Sequence, residues 1–133
     1  MILADTSAWI EFFARSRTPV AGALEAALRR EVIVVGDLVA VELLQGIRND
    51  RHRAEIGEVI GRCRQETLCG PTLAPIAAEN YRSLRRRGVI VRGTIDVIIA
   101  TWCIENDAQI IHNDRDLRAM EDALGLRVYP IAS

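Results

Sequence analysis

Thr94-Ile95-Asp96-Val97-Ile98-Ile99-Ala100-Thr101-Trp102-Cys103-Ile104 and, a few residues on, Gln109-Ile110-Ile111-His112-Asn113-Asp114-Arg115-Asp116-Leu117 form the stretch whose reading decides the fold. The first half predicts a helix, with Thr94 as N-cap and no breaker for three turns. Its apolar residues occupy every face, which predicts burial all round. The second half predicts a short buried strand, Gln109–Ile111, running into a turn that carries Asp114 and Asp116. Asp96 stands out. Ala100 and Cys103 are its neighbours one and two turns on, and an isolated carboxylate in such company is costly unless it finds a partner.

Working outwards, the chain alternates strands and helices. Met1–Ala4 is a continuous apolar run, a buried strand with Asp5 at its C-terminal end. Thr6 or Ser7 can cap the helix Ala8–Phe13, and Thr18-Pro19 opens a helix to Arg30. Val32–Val35 is β-branched and reads as the second strand. Gly36 turns the chain and Asp37 caps a helix Leu38–Ile47, again apolar on nearly every face, with Glu42 in its middle. Arg51–Thr67 has amphipathic helical spacing. Pro75 opens a helix ended by Gly88 after Arg85-Arg86-Arg87, Asp114 caps one ended by Gly125, and Leu126–Ile131 can form a last edge strand. Such alternation implies an α/β fold, a central parallel sheet flanked by helices, in one domain over 1–133.

Composition narrows the function. Half of the 133 residues are hydrophobic and no apolar run is long enough to span a bilayer. The start lacks the basic segment of a signal peptide, and Cys63, Cys69 and Cys103 are scattered and odd in number. A reducing cytoplasmic home is expected. The net charge is −1, without a global bias towards nucleic acid. All 17 basic residues are Arg, so chemistry that needs a catalytic Lys, such as a P-loop, is excluded.

The carboxylates carry the chemistry. In open parallel sheets, sites form beyond the C-terminal strand ends. Asp5 and Asp114 follow such ends, and Glu42, in mid-helix, and Asp96, in a first turn, lie on helices that can face the same edge. Clustered carboxylates repel and raise one another's pKa, a penalty that a divalent cation removes. Oxygen donors without a Cys or His cluster favour Mg²⁺ or Mn²⁺ over zinc. Each acid has a plain alternative. Asp5 could be a turn residue, Asp114 an N-cap, Asp116 a first-turn acid favoured by the dipole, Glu42 half of an ion pair and Asp96 an outward cap. His52 and His112 do not suggest a His–His mechanism, because only His112 is near the acids. Core packing accounts for Trp9 and Trp102 better than base stacking.

Asp5-Thr6-Ser7-Ala8-Trp9-Ile10, Val41-Glu42-Leu43, Ile95-Asp96-Val97-Ile98-Ile99-Ala100 and Asn113-Asp114-Arg115-Asp116, in this order and spacing, resemble the PIN-domain ribonucleases, in particular the short VapC toxins of VapBC toxin–antitoxin pairs. The resemblance implies a parallel-sheet fold and an endoribonuclease needing Mg²⁺ or Mn²⁺, with metal-activated water as nucleophile. It implies Asp5, Glu42, Asp96 and Asp114 as catalytic and metal-binding acids, with Asp96 and Asp5 foremost as direct metal ligands, Asp116 as a further acid, and Ser7 or Thr6 as orienting hydroxyls. It also implies a VapB-like antitoxin, an RNA substrate and a homodimer, with the amphipathic helices Arg51–Thr67 and Pro19–Arg30 offering apolar surface. An antitoxin Arg could enter the acidic pocket and inhibit. His112 and Leu117 depart from the Thr or Ser and the Phe common in relatives. Arg85–Arg87 could hold RNA, although a helix C-terminus attracts cations anyway. Two other classes compete: a receiver-type phosphotransfer domain, disfavoured without a Lys, and a non-catalytic module whose acidic pocket only receives a partner's basic residue.

Overall fold

The computed structural model describes residues 1–131, so Ala132 and Ser133 of the expected domain lie outside the described residues. Four strands form the sheet: β1 (Ile2–Ala4), β2 (Ile33–Gly36), β3 (Arg64–Glu66) and β4 (Gln109–Ile111). Their order is β3-β2-β1-β4 and every pairing is parallel. Among the described residues seven helices flank the sheet: α1 (Thr6–Phe13), α2 (Pro19–Arg30), α3 (Asp37–Gln45), α4 (Asp50–Gly61), α5 (Gly70–Arg86), α6 (Thr94–Glu105) and α7 (Arg115–Leu124). The first two crossovers step from β1 to β2 to β3, and the third returns across the sheet to β4. Right-handed connections therefore put α1–α4 on one face and α5–α6 on the other. The packing agrees: α1 contacts α2 and α3, α3 contacts α4, α5 contacts α6, and α6 contacts α7. The reversal leaves β1 and β4 side by side with chains leaving towards opposite faces, the arrangement that opens a crevice between strand ends.

The core follows the hydrophobic pattern. β1 and β2 are buried at every residue. Trp9 is fully buried, stacked on Phe13 with 5.6 Å between ring centroids and edge-on to Phe12 at 5.8 Å. Trp102 is buried as well, so both indoles belong to the core. No helix among the described residues is long and apolar enough to cross a membrane.

Several local expectations need correction. The Arg51–Thr67 helix stops at Gly61, and Arg64–Glu66 forms edge strand β3 on β2. That strand has no alternating apolar pattern; it exists because β2 offers a free ladder, and its charges suit a solvent edge. Leu126–Ile131 forms only an isolated bridge, Val128 to Ile110. Pro75 lies inside α5, which begins at Gly70 with φ +75° and Pro71 in its first turn. A proline there removes one backbone bond, and the buried Leu73 and Ala77 on either side hold the helix. Helix α6 starts on Gly93, not on a Thr94 cap, and α3 starts on Gly36, not on an Asp37 cap. Asp37 instead accepts from the backbone N–H groups of Leu38 (2.9 Å) and Leu68 (3.0 Å), tying α3 to the segment after β3. Helix α6 buries Val97 and Ile99–Cys103 as expected, whereas α3 buries only Val39 and Leu43 and leaves Val41 and Leu44 exposed.

Candidate active site

Asp5 extends the sheet ladder by one step, donating its backbone N–H to Ile111 O at 2.9 Å. That bond places the end of β1 against the end of β4. Asp5 then caps α1 itself, in place of the expected Thr6 or Ser7. Its Oδ2 accepts from Ser7 N at 3.2 Å and Ser7 Oγ at 2.7 Å. The same Ser7 Oγ accepts from Asn113 N at 2.9 Å, so one hydroxyl joins both strand ends. Asn113 Nδ2 donates to Glu11 Oε2 at 2.8 Å. Thr6 Oγ1 donates to Glu42 Oε1 at 2.8 Å and fixes the acid of α3.

On the other side stand the first turns of α6 and α7. Asp114 caps α7, its Oδ1 accepting from Asp116 N at 2.8 Å and Leu117 N at 3.2 Å. Asp5, Thr6, Ser7, Glu42, Asp96 and Asp114 all line one cleft of about 550 Å³, together with Ile10 and the segment Arg92–Ile95. Asp96 and Asp114 of this cleft group with Asp116 beside it: one oxygen of each lies within 4.8 Å of the others. All four acids expected of a single site therefore reach one cleft, and Asp116 adjoins it.

Asp116 is buried at the base of this group and is engaged by Arg92, a residue of the link between α5 and α6 that the sequence did not single out. Its Oδ2 accepts from Arg92 N at 2.8 Å and Arg92 Nε at 3.0 Å. Arg92 Nη2 lies 3.6 Å from Asp114 Oδ2. His112 is also committed: its Nδ1 accepts from Asp114 N at 3.0 Å and its Nε2 is 2.9 Å from Glu121 Oε2. The ring therefore carries its proton on Nε2 and has no lone pair left for a metal or a substrate proton. Arg85–Arg87 are spent elsewhere. Arg85 lies over the Tyr81 ring, Arg86 pairs with Glu79, and Arg87 donates to Ala123 O.

Electrostatics separate these acids. Burial raises Asp96 to about 7, helped by repulsion from Asp114, Asp5, Asp116 and Glu42. Burial also raises Asp5, against the hydrogen bonds from Ser7. Asp116 is held below its ordinary value by the Arg92 N–H and guanidinium. Burial pushes the Cys103 thiol up to about 12, and Cys103 does not line the cleft. The donor set is thus oxygen-only, and its mutual repulsion is the kind that a hard divalent cation relieves.

Residues 2–123 match the PIN domain family. The chain is 31% identical over 118 residues to ribonuclease VapC11 of Mycobacterium tuberculosis, covering 87% of this chain and 88% of that protein. The crystal structure of VapBC2 from Rickettsia felis, bound to a DNA fragment from its promoter, superposes with a TM-score of 0.77 at 16% identity, covering 97% of this chain and 98% of that one. DNA-bound VapBC from Salmonella typhimurium gives 0.75 at 19% identity, covering 96% of each. With this parallel sheet and this order of acids along it, the chain belongs to the PIN-domain family, among its VapC ribonucleases.

Proposed function

We propose that this chain is the toxin of a VapBC-type pair, an endoribonuclease that depends on Mg²⁺ or Mn²⁺. The observation that carries the metal dependence is Asp96: raised to about 7 by burial and four neighbouring acids, it sits in a cleft whose other carboxylates are Asp5, Glu42 and Asp114. Asp96 and Asp114, whose oxygens approach within 4.8 Å, would ligate the cation directly in place of the expected Asp96 and Asp5, with Asp5 and Glu42 completing the acidic wall. When bound, the cation lowers the pKa of water and neutralises charge developing on the phosphate. Ser7 holds Asp5, Thr6 holds Glu42, and the α7 N-terminus holds Asp114, so the acids keep their places without reorganisation. Water attack on phosphorus with departure of the 3′-oxygen leaves a 5′-phosphate and a 3′-hydroxyl. The test is cleavage of RNA by the purified chain, abolished by EDTA and restored by Mg²⁺ or Mn²⁺. Undiminished cleavage in EDTA would reject the metal.

The partner follows from the family and from the surface. The structures that resemble this chain are VapBC complexes bound to DNA, and a VapB-like antitoxin is the expected partner. Ile10 and Glu42 line both the acidic cleft and a neighbouring groove along α1, α3 and α4. A segment in that groove could deliver an Arg to the acids and block them. Exposed Val41 and Leu44 on α3 offer apolar surface for a homodimer. Blockade predicts slow cleavage by the purified complex and recovery once the partner is stripped off; equal rates would exclude it.

A further inference from the structure

We propose that Arg92 is the residue that holds the substrate's phosphate over the acids, and that Asp116 is its anchor and not a cation ligand; this rests on the ribonuclease reading above. A cleft walled by four carboxylates repels a polyanion, and a positive side chain lining it offsets that repulsion alongside the cation. Arg92 is the one cation among the described residues lining that cleft. Its side chain is 63% exposed while that of Asp116 is 5% exposed. One partner is fixed inside the protein and the other projects towards solvent.

The bonds are distributed to suit this. Arg92 spends its backbone N–H and Nε–H on a single oxygen, Asp116 Oδ2. The first bond fixes the loop and the second fixes the plane of the guanidinium. The Nη donors remain, and Nη2 points at the cleft acid Asp114 from 3.6 Å, longer than a hydrogen bond. Those donors match two oxygens of a phosphodiester in the fork geometry that only Arg offers. The same contacts occupy Asp116 Oδ2 and leave at most Oδ1 for a cation. Cation binding at its Oδ2 would compete with both Arg92 bonds and set a guanidinium and a divalent cation on one atom.

The test separates the two reactants. Binding of a fluorescein-labelled single-stranded RNA of randomised sequence is measured in an Asp96→Asn background, where cleavage does not interfere. Mn²⁺ binding is measured by calorimetry in the wild-type background. Arg92→Gln should weaken RNA binding about tenfold and lessen its salt dependence by roughly 0.7 in the log–log slope, the share of one phosphate contact on a single strand. It should leave Mn²⁺ affinity equal or slightly higher. Arg92→Lys, which keeps the charge but loses the fork, should recover the salt slope and only part of the affinity. Asp116→Asn should leave Mn²⁺ affinity near the wild-type value and weaken RNA binding in the same direction as Arg92→Gln, without adding to it in the double variant. Unchanged RNA affinity and salt slope in Arg92→Gln, with wild-type chain that cleaves RNA, would overturn the role of Arg92 alone. A tenfold loss of Mn²⁺ affinity in Asp116→Asn would restore Asp116 to the ligands and overturn its anchoring role. A wild-type chain that neither binds nor cleaves RNA would overturn the ribonuclease reading together with this one.

Discussion

The first turns of α6 and α7 carry the same residue type in nearly the same helical position, and the outcome is opposite. Asp96 and Asp116 each sit where a helix dipole favours an anion, and an oxygen of each lies within 4.8 Å of the other. Asp116 stays below its ordinary pKa because Arg92 donates to it from backbone and side chain. Asp96 rises to about 7 because burial removes its water and Asp114, Asp5, Asp116 and Glu42 repel its charge. Position on the helix does not set the role of these carboxylates; the partner each has already found does. The acid left unsatisfied is the one that a cation can serve.

The sharpest way to break this contrast is to neutralise each acid in turn. Asn preserves the shape of Asp and removes the charge. Asp96→Asn should reduce cleavage by about a thousandfold, on the scale of losing one preorganised electrostatic group at a reacting centre. Asp116→Asn should cost only about tenfold, through Arg92. Single-turnover rates at saturating Mg²⁺, with melting curves to verify folding, compare the two. Equal losses would erase the distinction, and near-normal turnover by Asp96→Asn would remove Asp96 from the site.

A second contrast concerns pH in the metal-free chain. An unfolded Asp titrates near 3.8, whereas folded Asp96 titrates near 7. Below the first value both states hold the proton and Asp96 contributes no pH dependence. Between the two, only the folded state holds it, so stability falls as pH rises and levels off above about 7. With allowance for the screening of a half-buried group, the loss is up to about 3 kcal/mol. Asp116, lowered by Arg92, has the opposite sign: its contribution is present above the unfolded pKa and is lost as acid protonates it. Urea melts from pH 4 to 8 should show the decline in wild type and a much flatter profile in Asp96→Asn. The same decline in both would assign it to other groups.

The divalent ion should then reverse that loss. Binding to the folded state alone adds about 2.7 kcal/mol at a hundredfold excess over the dissociation constant. The gain should survive Asp116→Asn and vanish in Asp96→Asn. Thermal midpoints with and without Mn²⁺ measure it, and an equal gain in both variants would place the ion elsewhere.

What the sequence disclosed about this contrast is uneven, for physical reasons. Asp5 and Asp114 were legible because strand ends of a parallel sheet converge on one edge, and a short apolar run ending in an acid marks such an end. Asp96 was legible as a charge among apolar residues. Arg92 was not: it lies in the seven-residue link between α5 and α6, and its meaning depends on Asp116, 24 positions later. His112 was visible as a departure, but its commitment to Asp114 N and Glu121 depends on the turn geometry. The burial of α3 was overestimated because an apolar helix states how many faces could be covered, not how many neighbours arrive. Edge strand β3, Arg64-Gln65-Glu66, has no periodic signal at all and is created by pairing with β2.

Asp5 offers the smallest and most discriminating test, because it stands between the two extremes. Burial raises it as it raises Asp96, and hydrogen bonds restrain it as they restrain Asp116, but here they come from the neutral Ser7. Ser7→Ala removes the 2.7 Å bond to Asp5 Oδ2 and the acceptor for Asn113 N, while leaving the Ser7 backbone bond in place. The expected cost is about 1 kcal/mol of stability, the usual net worth of such a bond. Cleavage should fall about tenfold, the lower end of the range for partners that orient a ligand. The carboxyl of Asp5, followed by NMR titration in the metal-free chain, should move further up, towards the behaviour of Asp96. Ser7→Thr keeps a hydroxyl and should restore most of both losses. If Asp5 keeps its titration in Ser7→Ala, the hydroxyl is not what separates it from Asp96, and the remaining restraint lies in the backbone N–H groups at the start of α1.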